Sequence, residues 1–332
     1  MKYLKMLCLA LTLACFASSA TFAKEYLPIN IAVEFTDHAA SAYVAQHKGW
    51  FEEEGLKPTF YSYVTGMSLA AALGRGDIQA AYMCLLPAIN AYANAKVPIK
   101  VVTGLHKHGY ALTVNPDRIR TVKELERADI RIGAVQIGGP VDAVLLKTIE
   151  KYGLDRSKVL NRVQRMNPPV QIMAIRMGKL DASFSPEHWP ALAEEAGFKV
   201  LVRSQDVWPQ MQGSVLVVKD ELIRNHPDIV RKLVKITAKA TGWIKDNPGE
   251  AASIMAEQLR VAGDKVFPIE AAKTAAQLMI TPSSVRRSMK RLDYTTDIDP
   301  GTTQESIDFA AQNGYTGKGF TARDLLDLRF SK

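Results

Sequence analysis

Apolar and polar positions alternate along this chain in a repeating order: a strand-length run, then a helix-length run. Ile29-Asn-Ile-Ala-Val33 is an apolar run of strand length. Residues 39–54 follow with a helical period that stops at Gly55, a residue suited to the left-handed end of a helix. A strand over 58–63, a helix over 67–73 and a strand over 78–83 come next. The same order returns about 102 residues later. Ile130-Arg-Ile-Gly-Ala134 starts it, a helix spans 140–152 and stops at Gly153, and strand, helix and strand follow over 159–165, 169–177 and 180–184. Residues align as well as elements: Leu73-Gly-Arg-Gly-Asp-Ile-Gln-Ala-Ala-Tyr82 resembles Ile175-Arg-Met-Gly-Lys-Leu-Asp-Ala-Ser-Phe184. Each half therefore reads β-α-β-α-β, an order that requires a right-handed parallel sheet with helices on its faces.

The connections between the halves are themselves strand-like. Residues 110–114 lead out of the first half and 213–218 lead back. Two crossings insert the second half into the first and make a natural hinge. The expected architecture is α/β: two Rossmann-like lobes joined by a two-strand hinge. Lobe 1 is expected to be discontinuous, 24–114 plus 214–332, and lobe 2 to span 115–213. After Lys219 the pattern turns helical. Ile229, Leu233, Ile236 and Ala240 make one apolar stripe. Asn247-Pro248 starts another helix, and helical patterns near 268–279, 284–292 and 303–312 should pack back on lobe 1.

The first segment changes the composition. Lys2 and Lys5 precede a 12-residue apolar run over 6–17, and small residues lead to Ala23. That run has the size of a signal h-region and is short for a bilayer span. Cleavage is expected near Ala23, with export to the periplasm; Thr12-Leu13-Ala14-Cys15 departs from a lipoprotein box, so a lipidated form is not expected. Removing 1–23 takes two lysines and no acids, so the formal charge falls from +8 to +6. Of the three cysteines only Cys84 remains, which excludes an internal disulfide. The basic residues are scattered and read as a solvated surface, not a nucleic-acid footprint.

Ligands of open parallel sheets bind outside the carboxyl ends of the strands. Here the duplication supplies those ends in pairs. Lobe 1 offers Asp37 and His38, then Thr65, Gly66 and Met67, then Met83 and Cys84. Lobe 2 offers Gln136, Gly138 and Gly139, then Asn167, then Glu187, His188 and Trp189. The loops at Thr65-Gly66-Met67-Ser68 and Ile137-Gly138-Gly139-Pro140 read either as βα turns with capping residues or as anion sites at helix N-termini. Asp37 suits a helix cap, or an amine or hydroxyl of a ligand. Trp189 and Trp208 suit core packing or a ligand face.

Other chemistry is less well supported. Gly66-Met67-Ser68-Leu69-Ala70 partly mimics a nucleophile elbow, but the final Gly is missing and no partnered His and acid is evident. His106-Lys107-His108 has a metal-like spacing on a strand. No third and fourth ligands are indicated, so neither metal nor cofactor is expected and the histidines read as polar residues beside the hinge.

Three stretches carry a family resemblance: His47-Lys-Gly-Trp-Phe-Glu-Glu-Glu-Gly-Leu56, Ala72-Leu-Gly-Arg-Gly-Asp-Ile-Gln-Ala-Ala-Tyr82 and Met177-Gly-Lys-Leu-Asp-Ala-Ser-Phe-Ser-Pro-Glu-His-Trp189. With them the sequence resembles the periplasmic solute-binding proteins of ABC importers, of the nitrate/sulfonate/taurine (NitT/TauT) type. The resemblance implies a type II periplasmic binding protein, not an enzyme. Such a protein is expected to act as a monomer, close on a small-molecule ligand and hand it to an ABC transporter permease with its ATPase. It also puts the Pro186-Glu187 turn at the cleft. A sulfonate, amino-sulfonate or similar anion is the leading ligand, a thiamine-precursor pyrimidine or other heterocycle the alternative, and an exported hydrolase the alternative of a different class. Relatives that synthesise a pyrimidine carry a cysteine-rich motif, whereas Tyr82-Met-Cys-Leu-Leu-Pro87 has one Cys.

Overall fold

The computed structural model describes residues 26–266, 280–317 and 319–331. The leader and the helix expected over 268–279 lie outside them. Four strands precede the first crossing: β1 (Leu27–Glu34), β2 (Leu56–Tyr63), β3 (Ala80–Cys84) and β4 (Ile99–Gly104). The crossing itself carries β5 (His106–His108). Lobe 2 holds β6 (Tyr110–Val114), β7 (Ile132–Ala134), β8 (Val163–Arg165), β9 (Ala182–Pro186) and β10 (Lys199–Arg203). β11 (Ser214–Lys219) and β12 (Leu292–Tyr294) follow the return.

The duplication is visible in the sheets. The first has the order β2-β1-β3-β11-β4 and the second β8-β7-β9-β6-β10. In each, three parallel strands adjoin an antiparallel strand delivered by the crossing from the other lobe. This exchange corrects the expected boundary. Tyr110–Val114, expected in lobe 1, pairs with β9 and β10 and so belongs to the second sheet.

Burial explains the strand patterns. β1 and β3 lie inside the sheet and read as nearly continuous apolar runs, as strands covered on both faces should. β2 is an edge strand with alternating burial, and an edge tolerates Pro58. The helix expected over 39–54 is broken into Ala40–His47 and Trp50–Glu53 by Gly49 at φ 71°. The strand expected over 159–165 is half helix, Arg156–Leu160, with Asp155 capping Ser157 and Lys158. Helix Pro227–Asp246 buries Ile229, Leu233, Ile236 and Ala240, and the Tyr82 hydroxyl meets Thr237 Oγ1 at 2.9 Å, fixing the helix to β3.

The C-terminal arm belongs with lobe 1 yet reaches across to lobe 2 on both sides of the cleft. Helix Pro282–Met289 and Arg291 face helix Trp189–Glu195 on one side. On the other, helix Pro300–Gln312 and Tyr315 face helix Pro140–Lys151: the Tyr315 hydroxyl donates to Asp142, and Lys147 Nζ lies 5.3 Å from the Phe309 ring. The lobes are therefore in contact, as in a closed form.

Candidate functional site

The carboxyl ends of β1, β2 and β3 meet those of β7, β8 and β9 across one narrow cavity of about 40 Å³. Lobe 1 supplies Glu34, Thr36, Val64, Thr65, Gly66, Met67, Cys84 and Pro87. Tyr110 and, from lobe 2, Val135, Gln136, Gly139, Pro140, Val141, Pro168 and Pro186 complete it. Most of this wall is apolar. Three helix starts at the cavity contribute prolines: Pro140, Pro168-Pro169 and Pro87. A proline has no N–H to offer an anion. The exception is helix Gly66–Arg75, whose first N–H groups lack intrahelical partners. Thr65 Oγ1 accepts the Ser68 N–H there, so the loop is a capped βα turn. Among the described residues, no Lys or Arg lines the cavity. Arg165, the nearby cation, is paired with Asp142 at 2.6 Å.

The polar floor is a buried cluster. The Cys84 thiol donates to Glu34 Oε2 at 2.9 Å, and the Cys84 N–H donates to Glu34 Oε1 at 2.8 Å. The Tyr110 hydroxyl lies 2.9 Å from Sγ. His38 Nδ1 is 3.8 Å from Sγ, and its Nε2 is 2.9 Å from the Gly109 carbonyl. The His106 ring lies 4.4 Å from the His38 ring, tilted by 55°, and its Nε2 accepts the Ser214 N–H. Burial sets the protonation of this group. It raises Glu34 to about 7 against the two Cys84 hydrogen bonds, raises the Cys84 thiol well above its usual range, and lowers His38 to about 3. Glu34 is held by shape as well. A Cβ on Gly66 would come within 2.4 Å of Glu34 Oε1 and 2.7 Å of the Pro87 ring.

Behind the cavity a second buried cluster ties the lobes. Arg291 bonds Glu187 at 3.2 Å and Glu194 at 2.6 Å, and Arg287 bonds the Ala191 carbonyl at 2.9 Å. Ser288 donates to the Asp37 carboxylate, and Tyr294 donates to the Asp37 carbonyl. Burial raises Asp37 to about 8 and, opposed by Arg291, Glu187 to about 7; it lowers His188 to about 3.

The sequence-derived residues therefore divide. Thr65, Gly66, Met67, Cys84, Gln136 and Gly139 line the cavity. His38 sits beneath it, in contact with Cys84. Gly138 and Asn167 stand at its margin: the Gly138 carbonyl accepts from Asn90 across the lobes, and Asn167 accepts from Gln136. Met83 points into the core. Asp37, Glu187, His188 and Trp189 are fully buried away from the cavity wall. The helix cap assigned to Asp37 is instead Thr36, whose Oγ1 accepts the His38 N–H, because the arm engages the Asp37 carboxylate. Sequence reasoning missed Glu34 and Tyr110. Both are the polar residues at cavity-side ends of otherwise apolar strands, which is the signal that would have found them.

The model of the NMT1-like family matches residues 23–259. The chain belongs to the NMT1-like family. A Brucella abortus protein, described as a candidate binding protein, is 22% identical over 232 residues, covering 66% of this chain and 67% of the relative. Two solved structures share the fold closely. The ligand-binding component of an ABC-type import system from Staphylococcus aureus, solved with zinc bound, has a TM-score of 0.74 at 18% identity, over 92% of this chain and 97% of that one. The alkanesulfonate-binding protein SsuA from Xanthomonas axonopodis pv. citri, bound to MOPS, has a TM-score of 0.72 at 17% identity, over 91% and 98%. This NMT1-like chain has the periplasmic binding protein fold.

Proposed function

We propose that this protein is the solute-binding component of an ABC importer, capturing a small organic solute between its lobes and presenting it to a permease. The observation that carries the reading is a cavity walled by strand ends of both lobes, with the arm holding them together. Hinge motion at the paired crossings, where Lys107 bridges Gln212, would open it. The similarity to binding proteins of import systems supports the same reading. Export through residues 1–23, with cleavage near Ala23, would place the protein in the periplasm as a monomer.

Binding without chemistry suits the site. Ser68, the residue in the place of a nucleophile, is bonded to its own cap Thr65 at 3.0 Å. The solute is a sulfonate or amino-sulfonate whose anionic end meets the Gly66 and Met67 amides. A heterocycle such as a pyrimidine is the second reading, favoured by the apolar wall and by Glu34 as a partner for ring N–H groups.

A thermal-shift screen against sulfonates, oxyanions, carboxylates, pyrimidines and flavins tests both. A ligand at 100 times its Kd stabilises the fold by about 2.7 kcal/mol. No shift with any class, together with turnover of an ester or amide, would defeat the proposal. In protein freed of metal, Glu34→Gln separates the solutes: a heterocycle or amine loses affinity, whereas a simple anion does not.

A further inference from the structure

We propose that Glu34, His38 and Cys84 form a three-ligand site for a zinc-class dication at the floor of the cleft, with its fourth position open to the cavity. The reading of the cleft as a solute site supplies the meaning of that fourth position. The metal site itself rests on three features of these side chains.

The first is separation. One ligand atom from each of Glu34, His38 and Cys84 lies within 4.8 Å of the other two. Zinc bonds of about 2.3 Å to sulfur and about 2.0 Å to nitrogen and oxygen put tetrahedral ligands roughly 3.3–3.6 Å apart. The observed Sγ to Nδ1 distance of 3.8 Å and Sγ to Oε2 distance of 2.9 Å bracket that range.

The second is orientation. Neutral His38 gives its Nε2–H to the Gly109 carbonyl, so Nδ1 carries a lone pair toward Cys84. Metal-binding histidines are fixed in this way. The Cys84 N–H holds Glu34 Oε1, which leaves Oε2 facing the thiol. Tyr110 stands beside Sγ as an outer hydrogen-bond partner.

The third is charge. A dication with one thiolate and one carboxylate is neutral, so it suits a fully buried floor better than either anion alone. On binding, the metal takes the place of the thiol proton, which leaves to solvent through the cavity. Sulfur, nitrogen and oxygen together favour zinc or cobalt over magnesium or calcium. The bound ion would keep one Lewis-acidic position at the cavity wall, so the fourth position would take a lone-pair donor of the solute or a water.

Cobalt is the probe. The protein is expressed with its leader, purified, freed of metal and titrated with Co2+. One equivalent should give a near-ultraviolet thiolate-to-cobalt band and the strong visible bands of a tetrahedral ion. Cys84→Ser should abolish the ultraviolet band, and Tyr110→Phe should weaken binding about 10–100-fold. His47→Gln, at an exposed histidine, should change nothing. If Cys84→Ser does not fold by circular dichroism, His38→Gln and Glu34→Gln carry the test, each losing the tetrahedral bands. No thiolate band in folded wild-type protein, or a band that persists in Cys84→Ser, overturns the proposal. Neither result touches the importer reading, which stands or falls on solute binding alone.

Discussion

Replacing Arg291 with Met isolates the contact that fastens the arm to lobe 2. The guanidinium is largely buried, with 13% of its side chain exposed, and Glu187 beneath it is 1% exposed. Removing one partner of a buried pair costs about 3–5 kcal/mol when the other charge is stranded. Glu187 has an escape, because burial already holds its carboxyl at about 7 even with Arg291 present. Without the arginine its pKa rises further, so at pH 6 the acid is neutral and the loss reduces to hydrogen bonds, about 1–3 kcal/mol. At pH 8 the protein must either strand the charge or hold the proton against the solution, and each pKa unit of that costs about 1.4 kcal/mol. The loss should therefore grow by at least about 1 kcal/mol between pH 6 and 8. Urea unfolding of wild type, Arg291→Met, Glu187→Gln and the double variant measures it. Glu187→Gln should rescue part of the Arg291→Met loss at pH 8, with a coupling of about 1–3 kcal/mol. Because the pair joins the lobes, solute affinity should fall about tenfold for each 1.4 kcal/mol taken from the closed form. A loss under about 0.5 kcal/mol at both pH values, or strict additivity of the two substitutions, would refute the reasoning.

Other expectations follow from the same geometry. Gly66→Ala forces a methyl against Glu34 Oε1 and the rigid Pro87 ring, so it should cost about 1–3 kcal/mol of stability by denaturant unfolding and weaken solute binding. Overall stability should fall as pH rises from 6.5 to 8. Glu34, Asp37 and Glu187 have folded pKa values above their unfolded ones, so their contribution is lost as pH rises from about 4.5 through about 7–8. His38 and His188 are depressed to about 3, so theirs is lost as pH falls below 6.5. Above pH 6.5 only the acids act, and the fall to pH 8 should be about 3 kcal/mol. Asp37→Asn should remove about half of that slope; a flat or rising profile over this range in the wild type would contradict the assigned causes.

The repeat was legible because it is written in local terms. Apolar runs end at Gly55, Gly76, Gly153 and Gly178, and these glycines adopt the left-handed backbone that closes a helix. The same regularity located the loops at the strand ends, and with them Thr65, Gly66, Met67, Cys84, Gln136 and Gly139. What the pattern could not show is which partner a polar residue finds across the fold. Asp37 and Glu187 sit in the expected loops, but Ser288 and Arg291, more than 100 residues further on, capture their carboxylates. Trp189 is drawn into packing with Phe35 and His188. Strand exchange is equally non-local: Tyr110–Val114 looks like any apolar strand, and only pairing assigns it to the second sheet. His106 and His108, read as polar residues beside the hinge despite their metal-like spacing, are not where ligand-like groups converge. The ligand-like groups that do converge are His38 and Cys84 from two different strand ends, joined by a glutamate that closes an apolar strand.

On the proposed function, the cavity between the lobes holds the solute. Isothermal titration of the best ligand from the screen, into wild type and into Met67→Trp, tests it most directly. Met67 is only partly buried and lines the cavity, so the indole fills the cleft from its edge without rebuilding the core. The wild type should show one site per chain and the folded variant none. Equal affinity in both would place the solute elsewhere and contradict it.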